Sequence, residues 1–215
     1  MMDRLLDSIG RVHALTPRDV GEFATLKANG MTFAVRAFDA AGLGHVSVME
    51  AKGFFGLMKM DTLMIVPKKK DLPLYSYDRI YAAGNDTLIV ELYDTMISPA
   101  DLSALDGIKQ RYVSLPERDA GTHWYDSIKL AQSISKKGKK AHSAAFDEFA
   151  ALYLEAYLNA PVAAVSDLGE KNARSAAYVN GLLTHGGPST DVFKKSLGDE
   201  TTEALFRRVL FGIDV

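Results

Sequence analysis

The sequence predicts a single α/β domain of the α+β kind, with an antiparallel sheet laid down first and a helical second half. Three observations carry this. Residues 31–97 hold five runs rich in Val, Ile, Tyr, Phe and Thr. The links between them are a few residues long, too short for the crossover helices that parallel pairing requires. After Pro99 the apolar period lengthens from two to about 3.6 residues.

In chain order, Leu5, Ile9, Val12 and Leu15 recur at helical spacing and predict an opening helix. Thr16 as a cap and Pro17 in the first turn predict a second helix, with Phe23 and Leu26 inward and Asn29-Gly30 as its stop. Strands follow at 32–38, 45–50, 57–66, 74–82 and 87–96, separated by Ala41-Gly42-Leu43-Gly44, Gly53, the Pro67 turn with its three lysines, and Gly84-Asn85-Asp86. Helices are predicted over 124–135, 141–160, 171–183 and 199–211, packed chiefly on one face of the sheet. The 141–160 segment carries Phe146, Phe149, Leu152, Tyr153, Ala156 and Tyr157 as one stripe. Gly186-Gly187-Pro188-Ser189 is a loop, and no linker or repeat divides residues 1–215.

Composition limits the chemistry. The chain has 215 residues, 47% of them apolar, and a formal charge of −2. A core of useful size is available and disorder is excluded; nothing demands nucleic acid as a partner. Cysteine is absent. That removes disulfides, iron–sulfur clusters, thiolate zinc sites and cysteine nucleophiles together. No two of the five histidines lie three to five residues apart, and no glycine-rich loop opens a helix after a strand. No metal, flavin or nucleotide cofactor is therefore expected. No apolar run reaches the roughly 18 residues of a membrane span, and Met1-Met2-Asp3-Arg4 turns amphipathic at once, without a signal-peptide core. The expectation is a cytoplasmic protein with no membrane partner.

The residues with most chemical potential lie in the strands, where side chains alternate faces. Glu50 shares a face with Val46 and Val48, Asp78 with Leu74, Ile80 and Ala82, and Thr62 with Met58, Met60 and Met64. A carboxyl on an apolar face either holds a proton, and so becomes a proton donor, or pairs with a base at the sheet's edge. Both readings stand at this point. The methionines suit a core or the wall for a flat apolar ligand. His185 precedes the glycine-rich loop and is the histidine best placed to reach a ligand. Lys68-Lys69-Lys70 and Lys136-Lys137-Gly138-Lys139-Lys140 are solvated loops or docking points for acidic groups.

Pro67-Lys68-Lys69-Lys70-Asp71-Leu72-Pro73-Leu74, leading to Asp78, resembles the ferredoxin-dependent bilin reductases: a strand ending in proline, a short loop, an Asp-Leu-Pro turn, and a strand bearing an aspartate. The closing stretch Phe193-Lys194-Lys195-Ser196-Leu197-Gly198-Asp199-Glu200, followed by Val209-Leu210-Phe211, is similar to that family's end. The order of elements agrees from about Met31 onward, and the related red chlorophyll catabolite reductases share the fold. The resemblance implies a three-layer α/β/α sandwich with a central antiparallel sheet. It also implies a ligand between the sheet and the C-terminal helices, and a linear tetrapyrrole substrate reduced by ferredoxin or another small electron carrier. Carried over by ungapped spacing, Asp78 matches the central proton donor and Glu50 a supporting buried glutamate. Thr62 stands where many members have histidine, and Val48 where some have a second one. Met60, Met64 and His185 are expected around the ligand. The expected function is bilin reduction by proton-coupled electron transfer; the alternatives are a non-catalytic tetrapyrrole or apolar-ligand binder on the same fold, or an interaction protein whose acids only pair with bases.

Overall fold

The computed structural model describes residues 1–213. Its eight strands are β1 (Leu15–Arg18), β2 (Thr25–Ala28), β3 (Met31–Ala40), β4 (Gly44–Gly53), β5 (Met58–Pro67), β6 (Leu74–Ala82), β7 (Asn85–Tyr93) and β8 (Ile134–Lys139). All pairs are antiparallel in the order β1-β3-β4-β5-β6-β7-β8, with β2 beside the other half of β3. The helices are α1 (Met2–Val12), α2 (Ser103–Arg111), α3 (Ser143–Leu158), α4 (Leu168–His185), α5 (Pro188–Leu197) and α6 (Asp199–Ala204), the last running on as a wide turn over Leu205–Leu210.

Both sheet faces are covered, giving the three layers. On one face Val48, Leu63, Ile65, Tyr77, Leu88 and Val90 meet Leu5 and Ile9 of α1, Leu105 of α2 and Phe146, Phe149 and Tyr153 of α3. These side chains are almost wholly withdrawn from water, each large one contributing about 1.5–3 kcal/mol of burial. On the other face Phe33, Val35, Met49 and Tyr93 meet Tyr178, Val179 and Leu182 of α4, Phe193 of α5 and Leu205–Phe211. Of the late helices, α4, α5 and the last turn pack on this face, while α3 joins α1 and α2 on the opposite side. Helical periodicity shows that a stripe is buried, not which face of a sheet buries it.

Two further elements differ from expectation. Residues 16–29 form β1, a 3₁₀ turn and β2 instead of a helix, because each short strand finds free backbone along β3. Residues 124–135 form one 3₁₀ turn (Trp124–Ser127) and the start of β8, not a helix.

Buried ion pairs fix the layers. Arg79, wholly buried, makes a two-point contact with Asp86 at 2.5 and 2.7 Å, donates to the Ser143 carbonyl, and lies 5.0 Å from the Phe146 ring centre. Lys171 of α4 reaches Asp71 at 3.1 Å and donates to the Leu72 carbonyl at 2.6 Å. Asp71 also accepts from the Ile97 and Ser98 amides. Burial works to raise the Asp71 pKa, but these amides and Lys171 outweigh it and hold the carboxyl below its usual range. The Pro67–Asp71 loop is therefore a structural clasp for α4. Among the described residues no helix is long and apolar enough to cross a membrane.

Candidate functional site

Strand register defines the site. In the row through the middle of the sheet, Met49 of β4 pairs with Thr62 of β5, Thr62 with Asp78 of β6, Asp78 with Ile89 of β7, and Ile89 with Ser135 of β8. Paired residues share a face, and this row lies on the α4–α6 side, as Met49 packs there. The neighbouring rows bring Met64, Ser76 and Glu91 on one side and Met60, Ile80 and Thr87 on the other. On the α1–α3 face Val48, Leu63, Ile65 and Tyr77 are fully buried, whereas on the α4–α6 face Met60, Met64, Asp78, Ile80, Ile89 and Glu91 are only half-buried. The helices cover this part of the sheet only partly, and the half-covered area is the candidate crevice.

Asp78 is its chemical centre. Thr62 Oγ1 donates to Asp78 Oδ1 at 2.6 Å. Burial raises the Asp78 carboxyl to about 6; the Thr62 bond pulls down, and the nearby Glu91 charge pushes up. Such a group exchanges protons near neutrality.

Glu91 accepts from Tyr93 Oη at 2.6 Å and lies 3.8 Å from Lys129, which in turn contacts Asp126 at 2.6 Å. Beyond it stands an aromatic wall. Tyr93 stacks on Tyr178 (4.2 Å) and meets Tyr125 edge-on (5.4 Å), and Trp124 adjoins Tyr125 (5.3 Å) and Tyr178 (5.9 Å). Trp124 comes this close to α4 because residue 181 is glycine: a Cβ there would lie 2.1 Å from the indole. The indole Nε1 also donates to the Gly186 carbonyl. Burial raises the Tyr93, Tyr125 and Tyr178 hydroxyls above their usual range, so they stay protonated as donors. At the β8 end of the Asp78 row, Arg118 lies 3.2 Å from Ser135 Oγ.

The floor of the last turn is held by β4. His45 Nε2 donates to the Val209 carbonyl at 2.8 Å and Ser47 Oγ to the Leu210 carbonyl at 2.7 Å. Burial lowers His45 to about 4, so it stays neutral. These bonds satisfy helix-end carbonyls and set how closely the C-terminal layer approaches the sheet.

The sequence-derived residues fare differently. Asp78, Thr62, Met60 and Met64 share the crevice face. His185 is exposed at the end of α4, its ring 5.4 Å from Trp124, on the outer side of the wall. Glu50 does not join them. It lies on the α1–α3 side with Val46 and Val48, pairs in register with Asp61, and accepts from Arg36 at 2.9 Å. Partners on β4 and β5 have opposite parity, because four residues separate Gly53 from the next paired position, Met58; β5 and β6 pair with equal parity. The β4 residue beside Thr62 is therefore Met49, and Glu50 faces away from Asp78. Glu91, Tyr93, Tyr125, Trp124 and Tyr178 were not singled out in the sequence. Period-two reading of β7 could have found Glu91 and Tyr93, but the aromatics of two other elements carry no local signal. Among the described residues no group of three or more His, Cys, Asp or Glu side chains could hold a metal ion.

No protein-family model matches the chain, and no curated protein sequence matches it. Among solved structures, phytochromobilin synthase from tomato, in complex with biliverdin, is similar over 99% of this chain and 82% of its own, with a TM-score of 0.78 and 15% sequence identity. At that identity the likeness is one of fold, and this chain has the three-layer fold of that synthase.

Proposed function

We propose that the chain binds a linear tetrapyrrole in the half-open crevice and reduces it with electrons from a small one-electron carrier such as ferredoxin. The observation that carries this reading is Asp78: a carboxyl with its pKa near neutrality, centred on an accessible face of methionine, isoleucine and aromatic side chains. The fold likeness to a biliverdin-bound synthase and the Pro67–Asp78 resemblance support it.

In this reading the flat ligand lies on Met60, Met64, Ile80 and Ile89 with the aromatic wall at its side. Its pyrrole nitrogens face the Asp78 carboxyl. Arg118 and Lys137, at the β8 end of this face, meet the ligand's propionate carboxylates. Two electrons, delivered one at a time, and two protons convert one C=C bond of the bilin to CH–CH. Asp78 supplies protons in turn and is recharged from water at the open side. With a pKa of about 6, roughly one carboxyl in ten is protonated at pH 7, and covering the site with an apolar ligand raises that fraction. Glu91, on the same face, keeps the Asp78 proton affinity high; Thr62 fixes the carboxyl's orientation.

The test is a visible-absorbance titration with biliverdin, followed by anaerobic turnover with chemically reduced ferredoxin. A coloured complex whose spectrum bleaches or shifts on reduction is expected. Asp78→Asn should keep the complex and lose about a hundredfold or more in rate. Failure to bind biliverdin ends the reading. Thr62 in the place of an imidazole favours one second reading, a non-catalytic tetrapyrrole binder; binding without any ferredoxin-dependent spectral change selects it.

A further inference from the structure

The hairpin tip joining β4 to β5, Gly53-Phe54-Phe55-Gly56-Leu57, is unlike the rest of the surface. Phe55 is fully exposed, Leu57 is 77% and Phe54 50% exposed. Phe54 and Phe55 both have left-handed backbone, φ 50° and 56°, a conformation that side-chain-bearing residues seldom adopt. The Phe54 ring lies against Gly30 of the neighbouring β2–β3 turn, leaving Phe55 and Leu57 outermost. The apolar groups thus project on a convex point.

Directly behind it runs a row of cations. Lys27, Thr32, Lys52 and Lys59 pair in succession across β2, β3, β4 and β5. The three lysines are exposed and span roughly 14 Å at the usual strand spacing. Phe54, Phe55 and Leu57 lie two to three residues beyond the Lys52–Lys59 pair. Gly53 and Met58 carry the strands one residue past that pair and the Phe54–Gly56 turn caps them, so the apolar side chains stand ahead of the ammonium groups, as insertion by about 5–10 Å into the headgroup–acyl boundary of a bilayer requires.

We propose that this tip docks the protein on an anionic membrane surface, with Phe54, Phe55 and Leu57 entering the interface and Lys27, Lys52 and Lys59 at the level of the lipid phosphates. The occupant follows from shape and charge. A convex apolar point suits a deformable surface, whereas a second copy would bring two lysine rows face to face in a symmetric contact. The docking is interfacial and needs no spanning segment. The half-buried end of the crevice, at Met58, Met60, Ile80 and Ala82, lies at the same strand ends as the tip, so docking turns that end toward the lipid. The surface stands independently of what the crevice binds.

The experiment is co-flotation of the full chain with vesicles of phosphatidylcholine alone and of equimolar phosphatidylcholine and phosphatidylglycerol. Binding to the anionic vesicles is expected, weakened by salt. Phe55→Ser should lower it about tenfold or more, and Lys52→Gln with Lys59→Gln by a similar factor. Phe55→Trp, read as a difference from wild type, should shift to the blue on binding and be quenched by lipids brominated near the headgroup. The two lysine changes leave the tip backbone untouched and so test the charge arm even if Phe55→Ser perturbs the loop. The proposal is overturned if wild type floats with neither vesicle, or floats with both alike and Phe55→Ser makes no difference. It is equally overturned if sedimentation shows a dimer that Phe55→Ser dissolves while no vesicle binding occurs.

Discussion

Replacing Asp78 by Asn should stabilise the protein at neutral pH and leave it unchanged in acid. The carboxyl has a pKa of about 6 in the fold against 3.8 for its ordinary value. Below both values it is protonated in the folded and unfolded chain, and no difference arises. Between them the unfolded chain releases its proton while the folded chain keeps it, so stability falls as pH rises. Above about 6 the fold carries the full cost of an ionised, desolvated carboxylate, roughly 3 kcal/mol at 1.36 kcal/mol per unit, and less as water reaches this half-open site. The asparagine keeps the shape and still accepts from Thr62 Oγ1 but never ionises. Urea unfolding of both proteins at intervals from pH 4 to pH 8 measures this. The advantage of Asp78→Asn should grow from near zero to about 2–3 kcal/mol across the window and then level off. A difference that stays flat from pH 4 to pH 8 would refute the raised pKa, and with it the proton-donor assignment.

Three further substitutions probe the bonds around Asp78, Asp71 and the β4–β5 tip. Thr62→Val removes the hydroxyl that donates to Asp78 Oδ1; the carboxyl should move further up in an NMR titration, and stability at pH 8 should drop by about 1 kcal/mol more than at pH 4. Lys171→Met strips the buried Asp71 of its ammonium and should cost about 3–5 kcal/mol in urea unfolding at pH 7; adding Asp71→Asn should recover part of this. Phe55→Gly relieves one left-handed residue and should raise stability by about 1 kcal/mol, a few degrees in Tm, while weakening vesicle binding.

Much of the sheet was legible because short links leave β3 to β7 only one way to pair. Alternation also placed each strand residue correctly relative to its own strand: Glu50 does share a face with Val46 and Val48. What alternation lacks is the parity across a turn, and the Phe54–Leu57 tip sets it so that Glu50 meets Asp61 while Thr62 meets Asp78. That Thr62 and Asp78 share a face was therefore legible, and which acid joins them on that face was not. β8 escaped notice because Ile134 is the sole large apolar residue of Ile-Ser-Lys-Lys-Gly-Lys. Lys136 is buried there, its ammonium reaching Glu117 and the Leu115 carbonyl, an environment that a lysine run does not announce. The tip, seen in sequence, was only a glycine break between strands; its exposure and its lysine row exist only once four strands are in register.

The two sides of the sheet end in different ways, with a consequence for how the protein behaves at high concentration. On one side β3 is flanked by two four-residue strands, one of them containing Pro17. On the other, β8 is half sheathed: the Arg118 amide donates to the Ser135 carbonyl and the Lys137 amide to the Pro116 carbonyl. Lys137 and Lys139 stand exposed on the same strand. Short lengths, a proline, a covering segment and fixed positive charge each deny a passing chain the row of free amides and carbonyls that templates strand addition. A broad sheet of this kind is thereby kept from growing sideways into fibrils, even when the native protein is crowded.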